Sequence, residues 1–318
     1  MYCFHPGISG ILPHERFRTL IARIAIAAVS AALLVSSSAS AECKPQTAAA
    51  FDLYVANREA RIEREQSSSE SFLAFQSLPP ARRIEVQDHL RRGEVLVHKS
   101  GGTPTAVPGG LIHHWLGTAF IPSATVRQLL TVLQDYDHLG RYYYPEVVRS
   151  RLRSHSGDDF LISMRLRKHQ VVTVVLDTEY EVHYGQLDAN HQYSLSRSTR
   201  VTEIADAGER NEHALAEGHD HGFMWRLNTY WRFQQAREGV FVQCEAISLT
   251  RDVPAGLGWL IGPFTQNIPR ESLQFTLRAT RNAVLELTKN SSVSTLDTRN
   301  NAVKQASASG MSGRTEEE

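Results

Sequence analysis

Few residues in this sequence have the types and spacing that chemistry requires. Arg197 stands in the alternating run Tyr193, Leu195, Arg197, Thr199 and Val201, which reads as the inward face of one strand. A cation on such a face needs a counter-charge, because burying it alone is costly. That partner is either a ligand carboxylate or phosphate, or an internal acid such as Glu203. His213, His219, Asp220 and His221 are metal ligands by type. Their spacing is not that of an established zinc site and their loop is polar, so no metal is assigned to them. His113 and His114 are neighbours on a strand, where successive side chains point to opposite faces, so they cannot converge on one ion. Arg251-Asp252, ahead of Val253-Pro254, reads either as a turn in which Asp252 caps locally or as a ligand contact. The chain has no Gly-x-Ser-x-Gly elbow, Cys–His pair or phosphate-cradling loop. No catalytic residue is assigned and no cofactor is expected.

Side chains with an apolar body and a polar handle are the second theme. Met164, Tyr180, Tyr193, Trp225, Trp231 and Phe275 fall on faces read as inward, and Tyr143 lies in the run Arg141-Tyr142-Tyr143-Tyr144-Pro145. Three consecutive tyrosines cannot all be buried in one direction. A stripe of this kind can be a solid aromatic core. It also suits a cavity that holds an amphiphilic ligand, and on that reading these residues and Arg197 bind the ligand.

The elements that must position these residues follow from periodicity. Residues 47–66 repeat as a helix with Phe51, Tyr54, Val55 and Ile62 on one face, and Pro79-Pro80 opens a second helix over 81–92. These helices read as a cap or brace without a catalytic pattern. Strands are expected at 94–98 and 111–121, joined by a Gly- and Pro-rich turn. Ser123 is the expected N-cap of a helix of about four turns carrying Val126, Leu129, Leu130, Leu133 and Tyr136. From Val147 to Ile204 the chain reads as a meander of three or four strands, with Phe160, Ile162, Met164 and Leu166 on one and Val172, Val174, Leu176, Tyr180, Val182 and Tyr184 on the next, before a polar loop from Asp206 to Gly222. Further on, Trp225, Leu227, Trp231 and Phe233 share a face, as do Val240, Val242, Cys244 and Ala246, with Gln243 and Glu245 opposed. Such alternation implies an antiparallel sheet with one face covered and the other wet. From Ile268 the period becomes helical, with Phe275, Leu277, Ala279, Ala283, Val284 and Leu287 on a broad arc. The apolar loop Trp259-Leu260-Ile261-Gly262-Pro263 before that helix suits a cavity lid or a membrane contact.

Composition bounds the whole. The 318-residue chain is formally neutral, which gives no electrostatic case for nucleic acid. Arg16, Arg18 and Arg23 precede an apolar run from Ile24 to Val35 and then Ala39-Ser40-Ala41, the layout of a secretory signal peptide. The expected organisation is a signal peptide at 1–41, an N-terminal helical segment at 42–92, a main domain at 93–289 and a disordered tail at 290–318. The expected location is the periplasm or the outside of the cell. Without residues 1–41 the formal charge is −2. Cys43 and Cys244 can pair in an oxidising compartment, but the apolar face under Cys244 favours a free, buried thiol.

A strand pair, a helix, a long meander and a long terminal helix form the order of a helix-grip fold, an α+β architecture in which a curved antiparallel sheet wraps the C-terminal helix. With the segments Leu111-Ile-His-His-Trp115, Ser248-Leu-Thr-Arg-Asp-Val-Pro254 and Ile268-Pro-Arg-Glu-Ser-Leu273, the chain resembles an exported bacterial member of the START-like (SRPBCC) superfamily, which includes Bet v 1-type proteins and polyketide cyclases. The resemblance covers about Glu94 to Leu287 and leaves the N-terminal helices outside the minimal pattern. It implies an apolar cavity under the C-terminal helix for a lipid, isoprenoid, sterol or polyketide. The expected function is non-catalytic binding or transport of a hydrophobic, quinone-like, isoprenoid or lipid ligand, with transient membrane-surface contact. The alternatives are a cyclase- or aromatase-like enzyme, and an envelope interaction protein whose cavity is filled.

Overall fold

The computed structural model describes residues 42–101, 104–169, 173–252 and 267–290. The signal-peptide reading, the apolar loop at 259–263 and the tail beyond 290 lie outside these residues.

Two helices come first, α1 (Pro45–Gln66) and α2 (Pro80–Arg91), each opening on a proline whose missing N–H costs nothing at that position. A short 3-10 turn, Ala74–Ser77, lies between them. The strands are β1 (Leu96–Lys99), β2 (Thr105–Val107), β3 (Gly110–Pro122), β4 (Val147–Ser156), β5 (Asp159–His169), β6 (Thr173–Asp188), β7 (His191–Ala205), β8 (His213–Ala214), β9 (Arg226–Ala236) and β10 (Gly239–Arg251). Helices α3 (Val126–Leu133) and α4 (Leu139–Tyr143) separate β3 from β4, and α5 spans 267–290. The sheet order is β1-β3-β10-β9-β7-β6-β5-β4, and the paired strands run antiparallel. One face of this sheet carries α5, which is the helix-grip architecture.

That inner face is built as the alternation predicts. Trp115, Ala119 and Ile121 of β3, Val240, Val242 and Cys244 of β10, Phe233 of β9, Tyr180, Val182 and Tyr184 of β6 and Ile162 of β5 form one buried cluster with Leu273, Leu277 and Val284 of α5. Along α5, Leu273, Leu277, Thr280 and Val284 are buried at helical spacing, while Phe275, Ala279, Ala283 and Leu287 flank them half-buried. Gly117 lets the helix seat this closely: a Cβ there would lie 2.4 Å from Cδ1 of Leu277 and 3.2 Å from Cγ of Leu273. Cys43 and Cys244 are both free, and Cys244 is buried.

The outer face departs from the expectation of a wet surface. It is wet along β6, where Glu181 and His183 are exposed. Over β3, β9 and β10 it is covered by the N-terminal helices. Phe72, Leu73, Phe75 and Leu90 pack on Phe120 and Phe241, and Phe51, Val55 and Ile62 of α1 are buried. Each such apolar side chain contributes up to about 1.5–3 kcal/mol. Gln243 and Glu245 therefore lie beneath this cover, both with no exposed surface.

The α3 start also differs from expectation. The N-cap is Thr125, not Ser123: the Thr125 hydroxyl accepts from the Gln128 N–H at 3.2 Å, and the Gln128 side chain accepts from the Thr125 N–H at 2.9 Å. Ser123 sits at φ +59° with its N–H bonded to the Glu238 carbonyl. The helix ends at Leu133, so Tyr136 lies beyond it.

Candidate functional site

Four tyrosine hydroxyls collect between the inner face and α5, brought there by three parts of the chain. The chain after α3 turns Tyr136 inward, where its hydroxyl lies 2.9 Å from that of Tyr184 on β6. Tyr143, at the end of α4, reaches up to α5 and bonds the Thr280 hydroxyl at 2.9 Å. Tyr180, two residues before Val182 on β6, is buried, and among the described residues its hydroxyl makes no hydrogen bond of proper geometry. The nearby Thr178 hydroxyl donates to the Met164 carbonyl instead.

Burial governs the electrostatics of this space. It pushes the Tyr180 phenol up to about 12 and the phenols of Tyr136, Tyr143 and Tyr184 higher still. The Cys244 thiol rises for the same reason. His113 points to this face from β3, bonded through Nε2 to the Thr250 hydroxyl at 3.0 Å, and burial with the nearby Lys99 charge lowers it to about 4. All of these groups are neutral at pH 7.

Of the side chains the sequence nominates, Tyr143 and Tyr180 belong to the inner cluster, and Met164, Trp231 and Phe275 pack against it half-buried. Trp225 is buried at one end of the sheet instead, donating Nε1–H to Asp220 at 3.1 Å beside Gly222. Tyr193 and Arg197 are on the outer face. The register pairs Tyr193 with Arg232 and Arg197 with Asn228, and places Ser194 and Ser196 opposite Trp231 and Thr229 on the inner face. Apolar content is a false guide to facing on β7: its inner side is serine, and Tyr193 packs on the outer aromatic cluster against Gly185. Arg197 is 49% exposed at its side chain and pairs with Glu59 of α1 at 2.8 Å, while Glu203 pairs with His221. The acid that meets Arg197 is therefore Glu59 and not Glu203. His213 and His219 bond the carbonyls of Asn211 and Glu217.

A second polar assembly, unforeseen in the sequence, lies under α1. Glu245 and Arg232 both have 0% side-chain exposure, and Glu245 takes hydrogen bonds from Arg61 of α1 and from His114 Nε2. Arg232 donates to Glu65 and to the Phe72 carbonyl, both at 2.7 Å. Tyr54 of α1 bonds His114 Nδ1 at 2.8 Å. Burial alone would raise the Glu245 carboxyl; the bond from His114 and the charges of His114, Arg61 and Arg232 outweigh it and hold the group below its ordinary range. The missed signal was apolar residues at both parities of β3 and β10, such as Phe120 beside Ile121 and Phe241 beside Val242, which mark strands buried on both faces.

A groove of about 350 Å³ runs beside α5, between that helix and residues 141–144 at the end of α4.

No family profile matches the chain and no curated protein matches it. Among solved structures, a STAR-related lipid transfer protein fragment from Xanthomonas axonopodis is similar at 17% identity and TM-score 0.38, over 57% of this chain and 97% of that one. Human STARD10 is similar at 9% identity and TM-score 0.37, over 66% and 81%. The ZhuI aromatase/cyclase from Streptomyces sp. R1128 is similar at 15% identity and TM-score 0.36, over 56% and 94%. These are low-identity likenesses, and the helix-grip architecture of this chain rests on its own strand order and on the seat of α5.

Proposed function

We propose that this protein binds a hydrophobic molecule bearing a polar group between the inner sheet face and α5, and carries it without transforming it. The observation that supports this reading is the Tyr180 hydroxyl, buried in an apolar cluster and, among the described residues, without a hydrogen-bond partner of its own. An unmade bond of this kind costs about 1–3 kcal/mol, and a ligand carbonyl, hydroxyl or ether oxygen would recover it. The phenols of Tyr136, Tyr143 and Tyr184, the Cys244 thiol and the His113 ring on this face are neutral at pH 7, which suits orienting a ligand rather than moving its protons. The signal-peptide pattern of residues 1–41 supports a periplasmic or secreted site of action.

Native mass spectrometry of protein purified from the periplasm, with extraction of bound lipid, tests the reading. A co-purifying hydrophobic molecule released on unfolding is expected. Absence of one, together with failure to bind fluorescent fatty-acyl and quinone probes, would contradict it.

A further inference from the structure

We propose that the groove beside α5 is the mouth of this ligand site and selects a hydrophobic molecule whose head is an anion, a carboxylate or a phosphate; the inference rests on the ligand-binding reading above. Arg141 of α4 and Arg278 of α5 both line the groove, with Tyr144, Phe275 and Asn282 around them. Both arginines are exposed, and among the described residues neither enters an ion pair. Their guanidiniums are thus not committed to a carboxylate of the chain, as those of Arg165, Arg197, Arg200 and Arg232 are at 2.7–2.8 Å. Glu286 also lines the groove, but eight residues of helix, roughly 12 Å, separate it from Arg278. The groove lining itself carries two guanidiniums against one carboxylate, with Asp135 set behind it and held by the Tyr142 hydroxyl at 2.8 Å, and guanidinium forks match carboxylate and phosphate oxygens.

The groove is continuous with the inner cluster. Phe275, Ala279 and Ala283 both line it and pack against that cluster. The two alanines keep the helix side of the groove low. Thr280 lies between them in sequence, and its hydrogen bond to Tyr143 ties α5 to α4 where the groove meets the interior. On this proposal the ligand enters by parting that bond, its apolar body directed toward Tyr180 and the Tyr136–Tyr184 pair. A head group held outside with its apolar body inside matches this division of charged rim and apolar interior.

Three fluorescent probes with the same tail test the selection on delipidated full-length protein: a fatty alcohol, a fatty acid and an alkyl phosphate. Wild type is expected to bind at least one anionic probe about tenfold more tightly than the alcohol, and the acid and phosphate arms identify which anion is preferred. Arg141→Gln/Arg278→Gln is expected to abolish the preference while leaving the alcohol's affinity in place. Glu286→Gln is expected to strengthen anion binding. Equal affinity for the three probes in wild type, or a preference that survives in the double variant, overturns the anionic selection while the binding reading stands. Failure of wild type to bind any of the three overturns both.

Discussion

The Tyr180 hydroxyl is where the site and its stability conflict. Buried without a partner, it weakens the empty protein, so Tyr180→Phe should raise stability by about 1 kcal/mol and raise the melting temperature. The same change should weaken a ligand whose polar group meets that hydroxyl by about tenfold, read by probe titration. A variant that is neither stabilised nor weaker in binding would remove Tyr180 from the site. His113 acts through its charge. Its folded pKa of about 4 lies below the ordinary 6.5, so its contribution is present above pH 6.5 and is lost as pH falls toward 4. The loss is on the order of 3 kcal/mol. Urea unfolding of His113→Gln between pH 7 and 4 should show a shallower decline than wild type. Alternation made Tyr180 and Met164 legible as inner residues. The same rule misplaced Tyr193 and Arg197, because the inner side of β7 is occupied by serines rather than apolar residues.

At the scale of elements, two of the contacts that hold the helices to the sheet can be tested singly. Gly117 fixes the seat of α5, and Gly117→Val would drive side-chain atoms into Leu277 and Leu273. A loss of about 1–3 kcal/mol is expected, with faster amide exchange across α5 than across β9 and β10. Glu245 fixes α1 from the other side. Glu245→Ala leaves Arg61, Arg232 and His114 without their shared carboxylate, and removing one partner of a buried ionic cluster costs about 3–5 kcal/mol. Limited proteolysis within 45–66 should accelerate in this variant; unchanged protection would mean that the apolar residues alone retain α1. The terminal helix was readable from its broad apolar arc. The ionic seat of α1 was not, since polar side chains on an outward parity look the same whether water or a complementary helix meets them.

On the scale of the whole molecule, one sheet serves two purposes. Its outer face is closed over β3, β9 and β10 by helices bound through charge and aromatic packing. Its inner face meets α5 through apolar side chains and phenols. The order of elements carried the helix-grip architecture in the sequence, while the division of labour between the faces depended on contacts between residues more than 160 positions apart, such as Arg232 with Glu65. Photo-crosslinking tests the central claim most directly. A diazirine-bearing alkyl probe, irradiated in complex with the full chain and mapped by peptide mass spectrometry, should label Met164, Tyr180, Trp231 and Leu277. Labelling confined to the outer aromatic cluster around Phe72 and Phe241, or no saturable labelling, would contradict a ligand site beneath α5.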